Sequence, residues 1–117
     1  MARNYVPHRG DLVWIDMQPQ AGREQSGRRP AVVLSQQIYN RRSGLVVLCP
    51  VTSRVKGYPF EVALPKGGAV TGVALADQIR NVDWQARHAE FIERLDGETM
   101  DEIWAKLQAL LSPEPEA

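Results

Sequence analysis

The run Leu45, Val46, Val47, Leu48, Cys49, Pro50, Val51 constrains the fold more than any other feature of the chain. It carries no charge and is apolar throughout, so both of its faces need cover. It is also too short for a core helix, and these properties together predict a strand in the middle of a sheet. Shorter β-branched and aromatic runs at 12–17, 31–35, 60–64 and 72–76 predict further strands, and 88–95 adds another. Segments rich in Gly, Pro, Gln and Arg at 19–30, 57–59 and 65–68 punctuate them. Strands so short and closely spaced predict a compact barrel or sandwich. The segment 19–30 is longer than a hairpin turn needs and holds Arg23, Glu24, Arg28 and Arg29, the mark of a functional loop.

One helix is expected, over 97–111, where Met100, Ile103, Trp104, Leu107, Leu110 and Leu111 recur at helical spacing and would pack on the sheet. Asp96 and Thr99 are candidate N-caps, acids fill the first turn, and Pro113 ends the pattern. Residues 35–40 predict a short helical turn. With 117 residues there is room for one domain, expected over 1–112, followed by a frayed tail over 113–117. No apolar run approaches the roughly 18 residues that span a bilayer, and the first ten residues lack a signal-peptide core, so a soluble, cytoplasmic protein is expected. The lone Cys49 offers neither an intrachain disulfide nor a metal cluster and reads as a buried thiol.

A formal net charge of zero conceals a strong asymmetry. Residues 1–58 hold nine Lys/Arg against three acids, and residues 59–117 hold five against eleven. Segregation of this size suits a face that attracts polyanions, although solvated surface charge gives the same count.

Phosphate-cradling glycine loops and nucleophile elbows are missing from the sequence, and the two histidines, His8 and His88, lie at opposite ends of the strand region. These features argue against metal catalysis and against histidine-pair ribonuclease chemistry. Cleaving RNA without a metal needs a group to take the 2′-hydroxyl proton, one to protonate the leaving 5′ oxygen, and cations to stabilise the phosphorane. Glu24, Arg28 and Arg29 have suitable chemistry, because an arginine fork gives phosphate two parallel hydrogen bonds. Thr52, directly after the apolar strand, could add a hydroxyl. On spacing alone, a surface ion pair is the better explanation of Glu24 with Arg28 or Arg29, and Thr52 reads as an ordinary strand end.

Three groups of residues carry a resemblance to a known family. The first runs through Tyr5, Val6, Pro7, then Gly10, Asp11, Leu12, Val13, Trp14, then Glu24 to Ser35. The second is Pro50, Val51, Thr52 with Lys56, Gly57, Tyr58, Pro59, Phe60, Glu61, Val62, and the third is Gly72, Val73, Ala74, Leu75, Ala76, Asp77, Gln78. Together they resemble the MazF/PemK toxins nearly continuously over residues 3–87. The segments 65–71 and 83–93 depart from that pattern.

The resemblance implies a mainly β fold with some α: a small SH3-like (PemK/CcdB-type) β-barrel with short helices and a C-terminal helix, assembled as a homodimer. It further implies a type II toxin that cleaves single-stranded RNA to 2′,3′-cyclic phosphate and 5′-hydroxyl ends, without metal or cofactor. A MazE-like antitoxin would neutralise it. Carried over by residue, Arg29 and Thr52 match the family's principal catalytic pair, and Glu24 matches an acid beside it. A splayed base offers a π-face and a Watson–Crick edge, so candidate RNA contacts are Arg28, Tyr39, Asn40, Lys56, Tyr58, Asp77, Gln78 and Arg80, while Phe60 reads as core. Two rivals are a gyrase-poisoning toxin of the same fold and an inactive module that binds RNA or antitoxin. The first would act through its terminal helix and end in Trp-Gly-Ile, whereas this chain ends Ser112, Pro113, Glu114, Pro115, Glu116, Ala117.

Overall fold

In a computed structural model, residues 4–17 and 27–115 are described. The element order is β1 (Asp11–Asp16), β2 (Arg28–Val33), α1 (Gln37–Ser43), β3 (Leu45–Thr52), β4 (Glu61–Ala63), β5 (Val73–Leu75), β6 (Arg80–Asp83), β7 (Glu90–Arg94) and α2 (Gly97–Leu111). All strand pairs are antiparallel, and the sheet runs β4-β5-β3-β2-β1-β7 with β6 also on β3. The expected central strand is β3. Its first half pairs with β6 through Leu45–Asp83 to Leu48–Arg80, and its end pairs with β5 through Val51–Ala74 and Thr52–Val73. The expected mainly β fold with a C-terminal helix is present as one antiparallel sheet, and because β4 and β7 terminate the order and do not pair with each other, the ladder among the described residues is open.

Alternation along the strands feeds two apolar clusters, one on each side. Leu12, Val32, Cys49 and Val51 join Val62, Ala74, Met100, Ile103 and Leu107 in the first, under α2. Val13, Ile15, Ala31, Val33, Val46 and Leu48 join Val82 and Trp84 in the second. The apolar run of β3 thus has cover on both faces, as its composition requires. Burial without a counter-charge pushes the Cys49 thiol up to about 12, so it is an inert core residue.

Helix α2 begins where expected. Asp96 caps it by accepting from the Thr99 N–H at 3.1 Å, and the Thr99 hydroxyl donates back to Asp96 at 2.7 Å. Only part of its apolar stripe is core: Thr99, Met100, Ile103 and Leu107 are buried, while Trp104 stays half exposed with the Arg9 guanidinium 5.7 Å from its ring centre. No helix among the described residues is long and apolar enough to cross a membrane.

The short helix lies slightly later than expected and is tied down by its interior residue, Asn40, which is 0% exposed. The Asn40 amide donates to the carbonyls of Pro7 (2.8 Å) and Ser35 (3.2 Å), and its side-chain oxygen accepts from the Ser35 hydroxyl at 2.6 Å. Its main-chain carbonyl accepts from the Trp84 indole at 2.8 Å. Asn40 therefore joins the N-terminal segment, α1 and the turn after β6. This corrects its assignment as an RNA contact, since its polar atoms are consumed inside the fold.

Candidate nucleic-acid interface

The β2–β3 register pairs Ala31 with Pro50 and Val32 with Cys49. Two places beyond the Ala31–Pro50 pair lie Arg29 on β2 and Thr52 on β3. Both residues line one open cavity of about 390 Å³, together with Trp14, Pro30, Val51, Ser53, Arg54 and the segment 69–71. Trp14 explains its own exception to the buried pattern of β1: at 37% exposed it forms a wall of this cavity. The Thr52 hydroxyl oxygen accepts from the Arg54 N–H at 3.1 Å, which fixes its rotamer and leaves its proton free to donate outward.

Gly72 makes this arrangement possible. Its φ of +129° lies where only glycine is comfortable, and a Cβ there would sit 2.2 Å from the Thr52 carbonyl oxygen. The close approach of β5 to the end of β3 therefore depends on the missing side chain.

A second, smaller cavity of about 140 Å³ shares Thr52 and Arg54 with the first and is completed by Lys56, Tyr58, Glu61, Leu75 and Gln78. The Glu61 carboxylate accepts from the main-chain N–H groups of Lys56 (3.0 Å) and Gly57 (2.9 Å), pinning the loop. The Lys56 ammonium lies 5.6 Å from the Tyr58 ring centre. An exposed aromatic face, a cation and the Gln78 amide thus surround a pocket suited to a planar group.

Of the residues singled out from the sequence, Arg29, Thr52, Lys56, Tyr58 and Gln78 come together around these two cavities. Others lie elsewhere. Arg28 pairs with Asp16 at 3.0 Å and with Glu90 at 2.8 Å, and donates to the His88 carbonyl at 2.9 Å. The His88 ring donates to Asp16 at 3.0 Å, and this bond, with Arg28 beside it, holds the Asp16 carboxyl below its ordinary range. Arg80 donates to the Met17 carbonyl at 2.8 Å, and Arg87 donates to the same oxygen at 3.2 Å, fastening the end of β1. The Tyr39 hydroxyl accepts from the Asn81 amide at 3.1 Å, and Asp77 is exposed on the turn before Gln78. Glu24 lies outside the described residues. The sequence reading missed Trp14 and Arg54. Trp14 reads in sequence as an ordinary strand residue, whereas Arg54, two residues past a strand-end threonine, has a signal in the turn that its N–H and the Thr52 hydroxyl form.

A family profile described as PemK-like, MazF-like toxin of type II toxin-antitoxin system matches residues 8–111. The chain belongs to that family. It is 46% identical to the endoribonuclease toxin MazF of Escherichia coli (strain K12) over 111 residues, which are 95% of this chain and 99% of the relative. With the endoribonuclease PemK of Escherichia coli it shares 36% identity, covering 89% of this chain and 81% of that one. A crystal structure of MazE-MazF from Deinococcus radiodurans superposes with a TM-score of 0.88 at 52% identity, covering 94% of this chain and 99% of the other. The family match, over residues 8–111, thus spans the sheet, the described lining of both cavities and all of α2.

Proposed function

We propose that the protein is the toxin of a type II toxin–antitoxin system and a metal-independent endoribonuclease for single-stranded RNA. The carrying observation is the convergence of Arg29 and Thr52 on one open cavity, from two strands that both grow out of the core. The scissile phosphate occupies that cavity. The Thr52 hydroxyl donates to a non-bridging oxygen and holds the phosphate, while the Arg29 guanidinium stabilises the phosphorane and assists proton transfer. The 2′-hydroxyl gives up its proton as its oxygen bonds to phosphorus, and the 5′-oxygen takes up a proton as its bond to phosphorus breaks, giving 2′,3′-cyclic phosphate and 5′-hydroxyl ends. Glu24, near Arg29 in sequence, is assigned the acid–base partner role. A base next to the cut stacks against Tyr58 in the smaller cavity, within reach of Lys56 and Gln78.

On this reading the bent sheet is an SH3-like barrel and the protein acts in the cytoplasm as a homodimer. MazE–MazF complexes among the structural relatives support a MazE-like antitoxin as its partner. A disordered acidic segment would compete with RNA for the cations of the N-terminal half.

The test is incubation with a long single-stranded RNA in EDTA, mapping cut positions and end chemistry beside Thr52→Ala. Cuts at a short motif with cyclic-phosphate ends, absent from the variant, are expected. An unchanged pattern in the variant, or no cutting by the wild type, rejects the reading.

A further inference from the structure

We infer that Arg54 binds the phosphodiester flanking the scissile one, at the passage between the two cavities. This rests on the ribonuclease reading above and adds a residue to it.

Among the described residues, Arg54 and Thr52 alone line both cavities. A single strand with its reacting phosphate beside Arg29 and a base beside Tyr58 must pass this shared edge, and what lies there on the strand is backbone phosphate. The guanidinium is exposed and makes no ion pair with the described residues. Glu61, the acid in the smaller cavity, has its carboxylate occupied by the N–H groups of Lys56 and Gly57. Meanwhile the bond from the Arg54 N–H to the Thr52 hydroxyl oxygen anchors the root of the side chain beside the catalytic threonine. A fork so placed can grip two phosphate oxygens, and because that phosphate does not react, the grip is the same in ground and transition states. Arg54 thus contributes to binding and to strand register, while Arg29 and Thr52 act on the reacting phosphate.

The experiment uses a short RNA carrying one cut site, in versions where single linkages are replaced by neutral methylphosphonates, with Arg54→Gln and Arg54→Lys. Melting curves check that both variants fold. For Arg54→Gln, KM is expected to rise about tenfold with kcat within about twofold, and the salt dependence of binding to flatten by about 0.7 in log–log slope, one phosphate's share for a single strand. Arg54→Lys should recover the slope and part of the KM, since it keeps the charge and loses the fork. Neutralising the flanking linkage should cost the wild type as much as Arg54→Gln does, and cost that variant nothing more. Unchanged KM and slope while the wild type cleaves would overturn the inference, as would a loss confined to kcat. If the wild type cleaves no RNA, the ribonuclease reading itself fails and takes this one with it.

Discussion

Arg29 on β2 and Thr52 on β3 line one cavity, although they lie 23 positions apart in the chain. The strands that carry them are packed on both faces, so the pair is held by the core.

Removing either side chain should therefore hurt the chemical step more than binding. Arg29→Ala and Thr52→Ala are each expected to lower kcat on a single-site RNA by about 100-fold or more, as loss of one preorganised donor does. Because both act on one phosphorane, the double variant should fall well short of the product of the single effects. Single-turnover cleavage rates with folding checked by circular dichroism decide this, and wild-type rates in both single variants would refute the assignment.

Gly72→Ala tests the approach of β5 to Thr52. A methyl 2.2 Å from the Thr52 carbonyl forces the backbone apart, at a φ of +129° that alanine tolerates poorly. Unfolding in urea should show a loss of about 2–4 kcal/mol, with cleavage reduced even where the protein is fully folded. Stability equal to the wild type would show that the strand ends shift freely.

Asn40→Ala separates a structural residue from an RNA contact. It strips hydrogen bonds from one buried and one part-buried carbonyl and from a hydroxyl, so stability should drop by about 2–3 kcal/mol. KM for RNA should stay unchanged at temperatures where the variant is folded. A stable variant with weakened RNA binding would restore the contact role.

Asp16 gives a pH signature. Its carboxyl lies below the ordinary 3.8 because the His88 ring donates to it and Arg28 adds its charge. A depressed carboxyl contributes stability that is fully present above its ordinary value and is lost as pH falls through the depressed one. The gap in urea midpoint between wild type and Asp16→Asn should hold near neutral pH and shrink in strong acid. A gap independent of pH would assign the effect to packing.

Elements with a strong period were legible in the sequence: the apolar run became β3, and the 3.6-residue stripe became α2 over the predicted residues. Strand β6 was not, because Arg-Asn-Val-Asp offers one buried side chain, Val82, and exists through its pairing with β3. The arginines show the same limit. Arg28 and Arg29 read alike in sequence, yet alternation along β2 turns the first to Asp16 and Glu90 and leaves the second to the cavity. Nothing local marks which of two adjacent cations a distant acid will take up. Asn40 was misread for a related reason: its partners, Pro7 and Trp84, lie 33 and 44 residues away.

On the proposed function, the groups that act on the reacting phosphate sit on strands, whereas Lys56 and Tyr58 sit on a loop that Glu61 holds by two backbone bonds. Exposed positions of that loop can change with little cost to the core, while the reacting pair is tied to the sheet. Divergence among such toxins can therefore rewrite which message is cut, one loop residue at a time, under an unaltered mechanism. A collection of them would differ first in vocabulary and only later in grammar.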